Sequence, residues 1–263
     1  MMTRRPAAVA GLFYPDDPAA LNRQIDELMD GASAAPQARP PRALVVPHAG
    51  YPYSGPVAAE AYARIAPFRD QYKRVLLLGP SHRVPFRGMA LSSADRFTTP
   101  LGDVAVDEAS RDQLLSMEGI EEMDAAHAME HSLEVQLPFL QRLLDDFRLI
   151  PLSVGDAPLA QIVAVIEHFW DDPETLVVIS TDLSHFLTLE QAEAIDDRTR
   201  QAIEQRDYRA IGDNQACGRY PLRGLLSVLE RRGLAIETLA MGTSADTTGD
   251  ASRVVGYGAW VVQ

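Results

Sequence analysis

The sequence contains almost no cysteine: Cys217 is the only one in 263 residues. A disulfide bond within the chain is therefore excluded, and we expect a reducing, cytoplasmic location. Long apolar runs are also missing, since no stretch approaches the roughly 20 residues of a membrane-spanning helix. We expect no signal peptide, because the apolar stretch after Arg4 and Arg5 is short and soon meets Pro15.

Positive charge is scarce as well. The chain has 24 Lys and Arg residues against 37 Asp and Glu residues, so its formal net charge is -13. No dense basic block is present, which argues against nucleic acid as a partner, because phosphate binding needs concentrated positive charge. The G-x-S-x-G elbow, the P-loop and the dinucleotide fingerprint are absent too. What remains is a chain of ordinary globular composition, 46% hydrophobic, with enough residues for a substantial core.

Short apolar runs alternate with helical patterns along most of the chain. Runs such as LVV and LLL are apolar at consecutive positions, so helices should cover both faces of the strands. The alternation predicts one domain over residues 1–263: a three-layer α/β/α fold with a largely parallel or mixed central sheet. A first helix is expected after Asp17, and residues 32–42, rich in Pro and Ala, are expected to form a short linker.

The individual elements are predicted from the same periodicities. Strands are expected in RALVVP, RVLLLG, GMALSS, FRLIPLSV, TLVVIS, AIETLAM and VVGYGAWVV. Helices are expected at 56–66, 108–117, 132–144, 159–170, 189–205 and 222–232.

Three of the predicted strands are followed by histidine. His48 comes after LVVP, His82 after LLLGPS, and Asp182 and His185 after LVVIS. In open α/β sheets, ligands bind outside the carboxyl ends of the strands, so neighbouring parallel strands would bring these side chains together. A lone histidine after a strand is more often a turn residue than a ligand. Three at equivalent positions predict a common site.

The segment HAMEHSLEVQLPFLQ forms a second cluster. His127 and His131 are four residues apart, but the order of residues is not that of the H-E-x-x-H zinc motif. Ser132 resembles the cap of a helix kinked by Pro138, so we expect both histidines to lie outside regular helix. We interpret His127 as a surface residue. Glu130 and His131 are candidates for lining or supporting the pocket.

Cys217 opens the segment CGRYP and allows two interpretations. Most free cysteines are small buried hydrophobes. A turn flanked by Gly and Pro beside Arg219 would instead favour a thiolate. The residues alone leave both interpretations open.

Eight motifs, in order along nearly the whole chain, carry a resemblance to a known family. They are AGLFYP at 10–15, PHAGYPYSG at 47–55, LGPSH at 78–82, TPLG at 99–102, EHSLEVQLPFL at 130–140, STDLSH at 180–185, CGRYP at 217–221 and TGDASRVVGYGA at 248–259. On these motifs the sequence resembles the Memo-like proteins, whose bacterial members are labelled AmmeMemoRadiSam system protein B. That family is similar in fold to the class III extradiol dioxygenases, the LigB-like enzymes that cleave aromatic diols with non-haem iron.

The resemblance implies roles for particular residues. His48, His82 and Cys217 would be metal ligands, with the cysteine in the place of the dioxygenases' glutamate. His185 would be the acid/base residue. Asp182, three residues earlier on the same turn, could orient it. The implied metal is Fe(II) or copper, with zinc as a further candidate, because a thiolate is a softer ligand than a carboxylate.

Three functions follow as hypotheses. The first is a metal-dependent oxidoreductase whose substrate pocket is lined by Tyr51, Glu130 and His131. The second is a non-catalytic module that binds a small molecule, a peptide or a phosphorylated segment in that pocket. The third is a metal-carrying accessory protein. The family label also implies radical SAM and AMMECR-like partner proteins.

Overall fold

The structure, a computed structural model, describes residues 2–33 and 39–263. Part of the predicted linker, residues 34–38, lies outside the described residues. The strands are β1 Arg4–Arg5, β2 Ala43–Val46, β3 Arg74–Pro80, β4 Met89–Leu91, β5 Arg96–Thr99, β6 Gly102–Ala105, β7 Ile120–Glu122, β8 Arg148–Val154, β9 Thr175–Ser180, β10 His185–Leu187, β11 Glu237–Thr243 and β12 Val254–Val262. The α-helices are α1 Pro18–Asp30, α2 Tyr51–Tyr62, α3 Glu108–Leu115, α4 Ala125–Ala128, α5 Leu137–Leu143, α6 Leu159–Trp170, α7 Leu189–Glu204, α8 Arg219–Arg232 and α9 Ala245–Thr248.

One large mixed sheet organises the fold. Its strand order is β10-β12-β2-β9-β3-β8-β4-β7, and β11 pairs with the other side of β12. Strands β2, β9, β3 and β8 run parallel at its centre, and β12 and β4 join this group in antiparallel fashion. A small separate sheet contains β1, β5 and β6. The predicted α/β class with a mixed central sheet is confirmed.

The apolar runs of the central strands contribute side chains to two hydrophobic cores, one on each face of the sheet. Val45 and Leu78 point to a core that includes residues of α6 and α8. Leu44 and Leu77, their neighbours along the strands, point to a core with residues of α1, α2 and α5. Both faces are buried, which is why these runs show no polar alternation. Among the described helices, none combines the length and apolar character needed to cross a lipid bilayer.

Helix α2 begins earlier than predicted. The sequence predicts a start at Pro56, but the helix starts at Tyr51 and contains this proline. A proline has no N–H for the carbonyl four residues before it, here that of Pro52. The hydroxyl of Thr247 donates to that carbonyl at 2.9 Å. Because the Pro52 carbonyl has this other partner, the helix can continue through Pro56. Its first residue, Tyr51, therefore comes only three residues after His48.

The segment after His131 also differs from the prediction. Residues Glu134–Gln136 form a 3-10 turn, and Pro138 lies in the first turn of α5, where a proline is well tolerated and bends nothing. Ser132 is not a cap, because its hydroxyl donates to the carbonyl of Pro80 at 2.8 Å. This contact fastens the segment to the end of β3.

The interpretation of His127 as a surface residue is wrong. It lies within α4, is only 1% exposed, and its Nε2 makes a 2.9 Å hydrogen bond with the carbonyl of Ala90. Burial lowers the pKa of His127 to about 4, so the ring is neutral near pH 7. It packs edge-on against Phe97 and belongs to the interior.

Candidate functional site

The strand order brings the histidine loops together. Strands β2, β9 and β3 are neighbours and parallel, so the residues after their carboxyl ends meet at one edge of the sheet. The ring centroids of His48 and His82 lie 5.2 Å apart. His131 enters from the segment before α5, with its centroid 4.7 Å from that of His82 and 5.4 Å from that of His48.

These three imidazoles form a group that could hold a metal ion. One ring nitrogen from each of His48, His82 and His131 lies within 4.8 Å of the others. Among the described residues, this is the one set of His, Cys, Asp and Glu side chains that is arranged closely enough to hold a metal ion. The sequence predicts that His131 lines or supports the pocket, whereas the geometry places it among the candidate ligands.

The hydrogen bonds of Ser180 determine which nitrogen of His48 is free. The Ser180 hydroxyl donates its one proton to the carbonyl of Ser132 at 2.6 Å. It accepts from the Gln136 amide at 2.9 Å, and Nδ1 of His48 lies 2.8 Å away. Because the hydroxyl has no second proton to donate, Nδ1 of His48 carries the hydrogen. Its Nε2 therefore presents a lone pair, as a metal ligand must.

Glu130 fixes His82 in the same manner. Its Oε1 lies 2.9 Å from Nδ1 of His82, and its Oε2 accepts from the His82 amide at 2.5 Å. The amides of His131 and Ser132 also donate to Oε1, each at 2.9 Å. Burial acts to raise the pKa of Glu130, but the hydrogen bonds that it accepts from His82 and Ser132 outweigh burial and lower the pKa to about 2. The carboxylate therefore accepts from Nδ1–H and leaves Nε2 of His82 free.

His131 carries a buried nitrogen without a partner. Its Nδ1 lies 3.5 Å from Oε1 of Glu130 and makes no hydrogen bond within the described part of the chain. Burial lowers the pKa of His131 to about 4 and that of His48 well below its usual value. Neutral imidazoles are the form that binds metal, and an unpartnered buried nitrogen is costly unless it has a ligand. These residues fit a metal ion.

Glu130→Gln is expected to weaken metal affinity by about 10–100-fold, because an amide cannot accept all the hydrogen bonds that orient His82 and His131. The measurement is competition for Zn(II) against a chromophoric chelator. Glu122→Gln, an exposed substitution on β7, is the matched control and should bind as wild type does. Equal affinities for the two variants would show that Glu130 does not position the ligands.

Cys217 lies at the edge of this group. Its Sγ is 3.4 Å from Nε2 of His48 and accepts from the amide of Asp182 at 3.2 Å. Burial, assisted by the Asp182 charge, raises the pKa of the thiol to about 12. Of the two interpretations of Cys217, the raised pKa favours the buried thiol, and the Arg219 guanidinium pairs with Asp213 at 3.1 Å. Cys217 would become a metal donor only by losing its proton to the ion's charge.

Asp182 does not orient His185 as expected. Its Oδ1 accepts from the amide of His48 at 2.7 Å, and its Oδ2 lies 4.0 Å from Nε2 of the same residue. Burial raises the pKa of Asp182 to about 6, although the His48 amide opposes the shift. The carbonyl of Leu183, 2.8 Å from Nδ1, holds His185 instead. A carbonyl only accepts, so Nδ1 carries the hydrogen and Nε2 of His185 can take a proton.

A shift in strand register places His185. His185 pairs with Val255 and Leu187 with Val254, so Phe186 is an extra residue in β10. Phe186 has a φ of 61°, a conformation that costs a side-chain-bearing residue about 1–2 kcal/mol. Such bulges re-aim neighbouring side chains, and here both His185 and Leu187 line the same cavity.

This cavity has a volume of about 540 Å³ and adjoins the imidazole group. Its lining comprises His82, Leu183, His185, Leu187, Ile195, Asp213, Asn214, Ala216 and Cys217. The predicted pocket residue Tyr51 is buried, and its hydroxyl donates to the carbonyl of Val135 at 2.8 Å. A role of Tyr51 in binding a ligand stays a prediction.

Sequence reasoning did not identify the buried ion pair of Arg5 and Glu134, which holds the segment that carries His131. Glu134 is fully buried, forms an ion pair with Arg5, and accepts from the Tyr14 hydroxyl at 2.5 Å. Arg5 also donates to the carbonyls of His127 and Glu130. The N-terminal strand thus ties down both ends of the segment that carries His131. The two glutamates of the motif E-H-S-L-E were the only signal available. Glutamate is seldom fully buried, so the sequence gives no reason to place Glu134 in the interior.

The chain is similar to known proteins over nearly its full length. Residues 5–261 match the family model described as Memo-like protein. Curated relatives include MEMO1 family proteins of Methanobrevibacter smithii (34% identical, 97% of this chain, 98% of the relative), Aquifex aeolicus (35%, 98%, 98%) and Methanococcoides burtonii (37%, 98%, 100%).

A solved structure resembles the fold. The crystal structure of an uncharacterized protein from Escherichia coli K12 superposes with a TM-score of 0.53 and 14% identity. The superposition covers 86% of this chain and 100% of that one, and at this identity it concerns the fold alone. The family model and the relatives agree over almost every residue, and on their strength the chain belongs to the Memo-like family.

Proposed function

We propose that the protein is a metal-dependent oxidoreductase. The observation that carries the proposal is the group of His48, His82 and His131, whose ligand nitrogens all lie within 4.8 Å of one another. Cys217, whose Sγ lies 3.4 Å from Nε2 of His48, would be a fourth donor after losing its proton to the ion's charge. The adjoining cavity of about 540 Å³ gives a small molecule access to this group.

The proposed metal is iron or copper, because an oxidoreductase needs a redox-active ion; zinc suits the same donors but has no redox chemistry. Imidazole suits all three metals, and a thiolate shifts the preference towards softer ions than a carboxylate would. A bound iron or copper ion would supply Lewis acidity and one-electron chemistry towards O₂.

His185 is the proposed acid/base residue. Its Nδ1 is held by Leu183, its Nε2 is free, and it lines the cavity together with His82 and Cys217. Oxidation of a substrate with ionisable O–H or N–H groups requires a proton acceptor that is not a metal ligand. An imidazole can accept a proton at one nitrogen while the other donates a hydrogen bond, so we assign this role to His185. The apolar side chains of Leu183 and Leu187 in the lining suit a substrate with a hydrocarbon body.

His185→Gln is expected to leave the metal content unchanged and to reduce metal-dependent O₂ consumption by about a hundredfold, a typical loss for a general acid/base. The measurement uses an oxygen electrode with Fe(II)- and Cu(I)-loaded protein and a panel of catechols, thiols and ascorbate. His168→Gln, at an exposed position on α6, is the matched control and should consume O₂ as wild type does.

The same experiment separates the proposal from the binding module. Metal-loaded wild type that consumes no O₂ above the free-metal background across the panel would favour binding without catalysis. Loss of metal from His185→Gln would instead make His185 a ligand and remove its acid/base role.

A further inference from the structure

A second cavity, separate from the imidazole group, lies between α7 and the end of β11. Its volume is about 270 Å³. Four carboxylates line it, from Glu193, Asp196, Asp197 and Asp246, against one guanidinium, that of Arg200. Arg200 is already engaged, with Asp197 at 2.6 Å and Glu204 at 2.8 Å. Throughout residues 2–33 and 39–263, Glu193, Asp196 and Asp246 have no salt-bridge partner, so carboxylates outnumber the guanidinium in this lining.

Two buried side chains in this lining have oxygens without partners. Thr243 is 7% exposed and Asp196 is 3% exposed. Thr243 Oγ1 and Asp196 Oδ2 make no hydrogen bond with any described residue. Asp196 Oδ1, in contrast, accepts from the amide of Ser184 at 3.0 Å. Unpartnered buried oxygens are rare and costly, and they call for an occupant that donates hydrogen bonds.

The strand register places both oxygens on one face. Thr243 of β11 pairs directly with Gly256 of β12, and paired residues project to the same side of a sheet. Gly256 has no side chain, and Asp196 Oδ2 lies 1.7 Å from the position that a Cβ would occupy there. The carboxylate therefore sits beside Thr243, where a larger residue at position 256 would exclude it.

The spacing of the carboxylates indicates the kind of cation. A bare metal ion needs several ligand oxygens around one point. In the described ranges, the acidic residues of this cavity are not among the groups arranged closely enough to hold a metal ion, whereas the imidazoles are. An alkylammonium group carries three N–H donors and no acceptor, so two protein oxygens and a water molecule can satisfy it. Met241, 37% exposed, offers apolar surface to an alkyl stem.

We propose that this cavity binds an alkylammonium group, with Thr243 Oγ1 and Asp196 Oδ2 as inner acceptors and Glu193 and Asp246 at the rim. The group belongs to a free primary amine or to a lysine side chain. The site is independent of the metal centre, so it stands whether or not the protein proves to be an oxidoreductase.

The test is a ¹⁵N NMR titration with n-pentylamine hydrochloride at low ionic strength. The amides of Gly242 and Gly256 should shift saturably, with a dissociation constant of about 1 mM, and n-pentanol should leave them unchanged. A second arm uses N-acetyl-lysine methylamide: equal affinity would extend the site to protein lysines, and much weaker affinity would restrict it to free amines.

Two variants test the assignment. The double variant Glu193→Gln, Asp246→Asn changes exposed residues and should weaken n-pentylamine binding about tenfold or more. Thr243→Val removes an unpartnered buried oxygen, so it should raise the melting temperature by about 2 °C or more while it weakens binding. The proposal is overturned if neither amide shifts, if n-pentanol shifts them equally, or if Ca²⁺ binds there and n-pentylamine does not displace it.

Discussion

Glu134→Gln is expected to lower the free energy of unfolding by about 3–5 kcal/mol, the usual cost of removing one partner from a buried ion pair. Glu134 is fully buried and faces the Arg5 guanidinium, which is itself 5% exposed. It also accepts from the amides of Ala8 and Val9, at 2.7 and 3.0 Å. A glutamine keeps the shape of the side chain but leaves the guanidinium buried without a counter-charge.

The measurement is urea unfolding of metal-free protein. Asp26→Asn provides the matched control, because Asp26 pairs with Arg142 at 2.8 Å and both side chains are nearly half exposed. Exposed pairs contribute at most about 1 kcal/mol. A loss for Glu134→Gln no larger than that of Asp26→Asn would mean that the buried pair contributes little to stability.

The double variant His48→Ala, His82→Ala is expected to lose nearly all of its bound metal. Structural metal sites gain about 10–16 kcal/mol from all their donors together. If three or four donors share this free energy, the loss of two costs at least about 5 kcal/mol, or more than about a thousandfold in affinity. Metal content is measured by mass spectrometry after reconstitution of untagged protein with Fe(II), Cu(I) or Zn(II).

Single variants in the same experiment identify the remaining donors. His131→Ala should lose more metal than Cys217→Ala if the three imidazoles form the site, and the reverse order would favour the set implied by the family resemblance. His168→Ala, exposed on α6, should retain the wild-type content. A double variant with as much metal as wild type would place the metal elsewhere in the protein.

The convergence of His48 and His82 was predictable because it depends on a regular property of α/β sheets. Both residues follow buried apolar runs, and parallel neighbouring strands end at a common edge. The prediction needed only the strands and their direction. It did not need the positions of individual side chains.

The partners of these residues were not predictable in the same way. Arg5 and Glu134 are more than a hundred residues apart, and charged residues are seldom fully buried, so no local pattern marks them as a pair. His127 was misplaced for a similar reason: an imidazole whose hydrogen bond goes to a distant backbone carbonyl looks, in the sequence, like any polar surface residue. Asp182 was assigned to His185 by proximity along the chain, whereas its contact crosses to another strand.

The pairing of β2 has a consequence for the order of folding during synthesis. Val45 pairs with Ile179 on one side and with Trp260 on the other, so the strand that delivers His48 is held by residues made much later. Contacts of such large sequence separation form slowly and bring a chain through incomplete intermediates. A nascent chain therefore exposes His48 and His82, unassembled, until β12 has been synthesised. The candidate ligands can come together only after β12 has left the ribosome, so a metal ion that needs all of them would bind after that point.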